Sequence, residues 1–386
     1  MRVVEIGDVI KIISGAPFKS ELFNENGEGL PLIRVRDVNT KPAGIYYSGT
    51  YSPEFLIDSG DLLVSMDGDF KCVSWSYGKG LLNQRVCKIV PDESVISRSY
   101  LRFFLPKALS DIHRDTTYTT VKHLSTKSIN TIKIPLPPLD DQIRIAHLLS
   151  KVEGLISQRK QHLKQLDDLL KSVFLKMFGD IKARKSNHPW EKLRPYLNAS
   201  SGKSSKQVLS EIETAFPIYG GNGINGWATI PLYEEPVVIA GRVGQQCGII
   251  HVSTKACWVT DNAIVIRIKN KTKLNAVYLS TALQYAPIRE KVKQLDLPFI
   301  NQPMILDFPL PLPPIELQNQ FAGIVEKVEG IKARYQASLA ELERLYGVLS
   351  QQAFKGELDL SRVTLPASTT PLPCYPKQHT LAGMTS

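Results

Sequence analysis

The feature that most constrains this chain is that part of it is written twice. Pro135-Leu136-Pro137-Pro138 recurs as Pro311-Leu312-Pro313-Pro314, an offset of 176 residues. Reading on at that offset without a gap, Gln142 meets Gln318 and Ala146 meets Ala322, and then Lys151-Val152-Glu153-Gly154 meets Lys327-Val328-Glu329-Gly330. Leu163, Leu166 and Leu169 meet Leu339, Leu342 and Leu345, and Phe178 meets Phe354. Fourteen positions are identical between residues 135–178 and 311–354, where average composition gives roughly two or three by chance. A repeat this long places two similar elements in one molecule.

Both copies read as one long helix. In the first, apolar residues fall at Ile145, Leu148, Leu149, Val152, Leu155, Leu163, Leu166, Leu170 and Phe174; in the second, at Phe321, Ile324, Val325, Val328, Ile331, Leu339, Leu342 and Leu349. Steps of three and four mark the seam of a coiled coil, with Val152, Leu155, Leu163 and Leu166 as its core. The Pro-Pro pairs suit the residues just before a first helical turn, and Gly179 and Gly356 are plausible stops. About 40 helical residues rise about 60 Å. A stripe so long and narrow needs a partner helix, and the nearest candidate is its own duplicate.

Each helix follows a segment of different character, residues 1–134 and 180–310. Short apolar runs such as Leu32–Val35, Asp61–Val64 and Arg85–Val90, then Pro236–Ala240, Gly248–Val252 and Ala263–Ile268, lie between Gly and Pro clusters. They predict two β-rich globular segments with loops. The two are only weakly alike, so the modules diverged where the helices did not. Residues 359–386 are rich in Ser, Thr and Pro and predict a disordered tail.

Composition narrows the function classes. The chain has 386 residues and no long apolar run, which allows two to three domains and excludes a helical membrane protein. Its start lacks a secretory pattern, so a cytoplasmic location is expected. Five cysteines form no CxxC pair, so neither a disulfide framework nor a zinc site is indicated. Lys and Arg number 47 against 37 Asp and Glu, for a net charge of +10. That attracts polyanions, although charge alone leaves a basic, non-binding protein equally open. Signals of catalysis are weak. Ser201-Gly202-Lys203-Ser204 looks like the end of a phosphate loop, but Leu197 stands where the full pattern needs Gly. Gly220-Gly221-Asn222-Gly223 reads as a tight turn. No Asn/Asp-Pro-Pro-aromatic or HExxH motif occurs. No catalytic residue, metal or cofactor is expected.

This order of segments resembles the specificity subunit of type I restriction–modification enzymes. The resemblance covers nearly all of residues 1–358. Its strongest parts are Ile134–Gln142, Pro309–Gln318 and Ala353–Leu358; Glu5–Val9, Asp61–Gly68 and Trp190–Leu193 are similar to other family segments. It implies an α+β fold in which two β-rich target recognition domains, 1–134 and 180–310, are separated by two long antiparallel helices, 135–179 and 311–358, forming a coiled coil. It also implies double-stranded DNA as ligand, with each recognition domain reading half of a gapped site. Two methyltransferase subunits dock on the helices and restriction/motor subunits join them. The tail beyond Leu360 is not part of the family pattern. The rival readings are a coiled-coil scaffold that binds only protein and a stand-alone DNA methyltransferase.

Major-groove readout needs forked donors and amides, and phosphate contacts need cations. In the first segment Arg34, Arg36, Lys71, Arg85, Tyr118 and Lys122 offer these, the Tyr118 cluster being equally readable as a strand edge. In the second, Lys203, Lys206, Asn222, Asn225, Arg242, Gln245, Gln246, Lys255, Asn262 and Asn301 do. Arg242–Gln246 stands out because an Arg and two amides sit beside glycines. Methyltransferase docking is assigned to the outer flanks of the helices, at Gln142, Gln158, Gln165, Gln318 and Gln336.

Overall fold

The computed structural model describes residues 2–365 other than 43, 116–121, 245–246, 289 and 291–297. It divides into two units: the residues up to Gln161 together with those from Ala337 on, and His162–Gln336. The division runs through both long helices, whereas the sequence suggested boundaries at 134, 179 and 310. Each unit thus combines one globular segment with part of each helix. The helices used below are α1 (Arg98–Asp115), α2 (Thr126–Asn130), α3 (Leu139–Phe178), α4 (Ala276–Tyr285), α5 (Gln302–Leu306) and α6 (Ile315–Lys355).

The duplicated helices are α3 and α6, of 40 and 41 residues. Each starts directly after its Pro-Pro pair. Pro138 O accepts from the N–H groups of Asp141 and Gln142, and Pro314 O from those of Leu317 and Gln318. Gly179 and Gly356 follow with φ of +85° and +76°, the left-handed cap that glycine adopts without strain. Within the first unit, the start of α3 packs on the end of α6: Ile145, Ala146 and Leu149 share a core with Tyr346, Leu349 and Ala353. Lys160 Nζ lies 2.7 Å from Glu343 Oε1. Within the second, the Phe174 and Phe321 rings are 5.4 Å apart, and Lys332 Nζ lies 2.8 Å from Asp167 Oδ1. Rising numbers meet falling ones in both units, so the helices run antiparallel.

The seam is narrower than expected. Val152 is buried, but Leu155 is 50% exposed, Leu169 47% and Leu345 45%, while Leu163 and Leu166 are half-buried. Two helices cover only one stripe of each other; without a third layer the flanks of that stripe face water.

Each globular segment carries an antiparallel four-stranded sheet. The strand order is Ile10–Ser14, Val86–Pro91, Leu62–Ser65, Cys72–Ser74 in the first unit and Leu197–Ser201, Ala263–Ile268, Val238–Gly241, Ile250–Val252 in the second. A second sheet contains a parallel pair, Leu30–Ile33 with Gly80–Leu82, or Phe216–Gly220 with Trp258–Val259. A two-stranded ribbon closes each module: Arg2–Glu5 with Lys133–Leu136, and Trp190–Lys192 with Pro309–Pro311. The weakly similar segments therefore share one fold. The sequence reading missed α1 and α4. Pro106 lies inside α1, and α4 is a short, mostly apolar run whose period does not separate helix from strand.

These helices join each sheet to the long helices. Tyr100 and Tyr278 are fully buried, and their hydroxyls donate to Pro135 O at 2.9 Å and Pro311 O at 2.6 Å. Phe178, beside Tyr278, is also buried; burying a ring this size contributes about 1.5–3 kcal/mol. The chain stays packed beyond residue 358: Leu360 lies against the first core, and Val363 O accepts from Arg144 Nε at 3.1 Å. Of the tail expected over 359–386, residues 366–386 lie outside the described ones. No helix among the described residues is long and apolar enough to cross a membrane.

Candidate nucleic-acid interface

The candidate surface lies at one end of each four-stranded sheet, where four chain segments meet. In the first unit, Met66 N donates to Arg85 O at 2.8 Å, Gly68 N to Lys122 O at 3.1 Å, and Leu124 N to Met66 O at 2.7 Å. In the second, Arg242 N donates to Asn262 O at 3.1 Å, Gly244 N to Pro298 O at 3.0 Å, and Ile300 N to Arg242 O at 2.8 Å. Met66 and Arg242, Gly68 and Gly244, Lys122 and Pro298, and Leu124 and Ile300 each differ by the same 176 residues as the helices. Gly68 and Gly244 share a φ of +76°. Ser125 and Asn301 accept from Ser128 N and Met304 N at 3.0 Å, capping α2 and α5 alike. A Cβ on Gly15 would lie 2.0 Å from Asn83 O, and one on Gly202 2.2 Å from Val259 O. Only glycine permits that approach.

The side chains on this common corner differ. In the first unit Arg85 is exposed and adopts φ +69°. Its Nε lies 3.8 Å from Asp67 Oδ2, its Nη1 3.4 Å from the His123 ring nitrogens, and His123 Nδ1 2.7 Å from Asp67 Oδ1. In the second unit Arg242 is exposed and its Nη1 donates to Ser201 Oγ at 3.3 Å; Gln302 Nε2 reaches the same oxygen at 3.5 Å. Val243 and Phe299 pair here and are both exposed. Lys203 is exposed, its carbonyl accepting from Trp258 Nε1 at 2.9 Å.

A neighbouring loop adds to each corner. Ile33 O accepts from Asn83 N at 3.2 Å, which ties the chain before the 3-10 turn Val35–Asp37 to the Asn83–Arg85 turn. Tyr219 O accepts from Thr260 N at 2.9 Å, which brings the Gly221-Asn222 hairpin turn to the same place in the second unit. Arg36 and Asn222 are exposed there, and Asn225 lies over Gly220, where an added Cβ would come within 2.8 Å of its Nδ2. The Ser201–Lys203 stretch ends a strand, as the failed phosphate-loop pattern requires.

Several assignments change. Arg34 turns inward to the buried Asp37, its Nε 3.7 Å from Oδ2, so it supports the loop instead of facing a ligand. Lys122 Nζ donates to His113 O, which ties its ammonium to the domain. Lys71 is exposed beside Asp69. Tyr118, Gln245 and Gln246 lie outside the described residues. The largest correction concerns Gln142 and Gln318, which are fully buried and not on an outer flank. Gln142 Oε1 accepts from Ser97 N, and its Nε2 donates to Val95 O and Pro137 O; Gln318 Oε1 accepts from Asn275 N, and its Nε2 donates to Lys273 O and Pro313 O. Each amide bolts a long helix to the domain before it. Gln158, Gln165 and Gln336 are exposed.

Sequence reasoning passed over Asp67, His123 and Gln302, because no local spacing links residues 67, 85 and 123. The 176-residue offset, kept at residues 66, 68, 122 and 124 and shifted to 177 between Arg85 and Asn262, was the available signal. Elsewhere, burial pushes the Cys87 thiol up to about 12, which suits a packed thiol and not a nucleophile.

Comparison with known proteins agrees with this doubled architecture. Residues 1–166 and 181–344 match the family model described as "Type I restriction modification DNA specificity domain". The EcoBI specificity subunit of Escherichia coli is 39% identical over 168 residues, 44% of this chain and 35% of that protein. The chain thus spans about a third of that relative's length in the matched region. The MjaVIII specificity subunit of Methanocaldococcus jannaschii is 24% identical, covering 86% of each. The solved S subunit of a type I restriction–modification system from M. genitalium shares the fold, with a TM-score of 0.65 at 17% identity over 92% of this chain and 96% of that one. Matched in both copies of its duplicated module, this chain belongs to the type I restriction–modification DNA specificity family.

Proposed function

We propose that the chain is the non-catalytic, DNA-reading subunit of a type I restriction–modification complex in the cytoplasm. Each unit reads one half of a gapped site in double-stranded DNA. The long helices dock two methyltransferase subunits, and restriction subunits join them. Methyl donor, metal and nucleotide belong to those partners.

The observation that carries this reading is the duplicated corner. One backbone framework presents Arg36, Arg85, Asp67 and His123 in the first unit and Asn222, Asn262, Arg242 and Phe299 in the second. Constant framework with exchanged polar side chains is what reading two different half-sites requires, since base identity is read by side-chain donors and acceptors. Docking of two copies of one partner is supported by the helices. The exposed Leu155 and Leu169 of α3 recur, at the repeat offset, as the exposed Ile331 and Leu345 of α6. Exposed Gln158, Gln165 and Gln336 flank them.

Replacing residues 180–310 with the corresponding segment of a relative tests the reading. Methylated sites mapped with the reconstituted complex should change in one half only. Change in both halves, or in neither, rejects it.

A further inference from the structure

The two corners coincide at one position more revealing than the rest. Arg85 and Asn262 each sit immediately before the central strand of the sheet, Val86–Pro91 or Ala263–Ile268. Their carbonyls accept the equivalent bonds, from Met66 N and from Arg242 N. Both side chains are exposed. We infer that this position selects a base pair in each half-site: Arg85 takes guanine in the half read by the first unit, and Asn262 takes adenine in the half read by the second. The inference rests on the DNA-reading function proposed above.

The chemistry differs in a matched way. A guanidinium donates two parallel N–H bonds to guanine O6 and N7, whereas a carboxamide both donates and accepts at adenine N7 and N6. The surroundings follow the same division. Arg85 lies beside the Asp67 carboxylate and the His123 ring, which is itself held by Asp67 at 2.7 Å. Arg85 Nη1 lies 3.4 Å from both His123 ring nitrogens, so the guanidinium packs against the ring that Asp67 holds. Among the described residues no further partner takes the remaining guanidinium N–H groups, which a base can then accept from. Asp67 and His123 are positioning residues: they hold a long side chain in one place before DNA arrives.

At the equivalent sites of the second unit stand Val243 and Phe299, exposed and apolar. They cannot orient a guanidinium. They suit the 5-methyl group of thymine, which shares the major-groove edge of an A·T pair with the adenine that Asn262 would read. The backbone gives an independent sign. Arg85, unlike Asn262, is held at φ +69°, where a long side chain is more strained than glycine or asparagine. An exposed arginine on a strained backbone fits a used side chain.

The test maps methylated sites with the complex reconstituted from its methyltransferase and this chain as wild type, Arg85→Asn, Arg85→Lys, Asp67→Asn or Asn262→Arg. Arg85→Asn is compatible with the positive φ, and a melting curve of each variant confirms folding. Arg85→Asn and Arg85→Lys should each lose the preference for guanine at one position of one half-site by about tenfold or more. Asp67→Asn should weaken that same preference and no other, and Asn262→Arg should remove an adenine preference in the opposite half. An unchanged preference in folded Arg85→Asn and Asn262→Arg complexes overturns the assignment, as does loss of a different base. A wild-type complex with no sequence preference overturns the DNA-reading function itself, and this inference with it.

Discussion

Gln142 and Gln318 mark the residue scale, where a small amide decides how a helix meets a domain. Each satisfies one backbone N–H and two carbonyls in a buried site. Gln142→Leu keeps the volume but strands those three groups. At about 1–3 kcal/mol for each unsatisfied group, partly relieved by local relaxation, a loss of about 3–5 kcal/mol is expected. Urea denaturation of the full chain measures it, with the exposed Gln158→Leu as a control expected within about 0.5 kcal/mol of wild type. A docking role for Gln142 would give the reverse pattern: normal stability and lost assembly. The repeat marked both glutamines as important. It could not say that they were buried, because their partners near residues 95–97 and 273–275 lie far away along the chain.

At the scale of elements, the long helices are continuous while their environment changes. Phe174 and Phe178 of α3 enter the second core, and Ile145 and Leu149 enter the first. Between them lie the half-buried Leu163 and Leu166 and the Lys160–Glu343 ion pair. Four residues inserted in both helices, after Gln161 and after Gln336, add nearly one turn and about 6 Å of length, with the seam rotated by only about 40°. If the helices set the gap between half-sites, the methylated sequence should keep both halves and gain one or two base pairs between them, at about 3.4 Å per pair. Two inserted residues rotate the seam by about 200° and should abolish assembly. An active four-residue variant with an unchanged gap would show that the helices are not the ruler.

Charge acts at the scale of the whole molecule. A net charge of +10 favours phosphate contacts wherever the basic groups face DNA. A complex making about 6–10 such contacts loses about 10³–10⁵ in affinity between 50 and 200 mM salt. The reconstituted complex is expected to follow this range in a filter-binding or anisotropy titration on its own site. A loss below about tenfold would mean that the basic residues face away from DNA. Lys203, exposed at the second corner, is the first place to neutralise; its replacement should lower the salt slope and leave the recognised bases unchanged.

The sequence by itself determined the duplication and the two long helices with their Pro-Pro starts and glycine stops. These depend on local rules: helical periodicity, backbone limits on Pro and Gly, and identity at a fixed offset. Only the tertiary structure decided that the duplication continues through the globular segments. There identity has faded, but Gly68 and Gly244, Met66 and Arg242, and Ser125 and Asn301 still hold the same places. It also decided that Arg34 and Gln142 face inward and that Asp67, Arg85 and His123 meet. The reason is physical. Strand pairing and loop closure join residues far apart in the chain, and backbone hydrogen bonds between N–H and C=O tolerate almost any side chain. Such a framework can persist while its sequence drifts, and the side chains it presents at the corner can change without disturbing it.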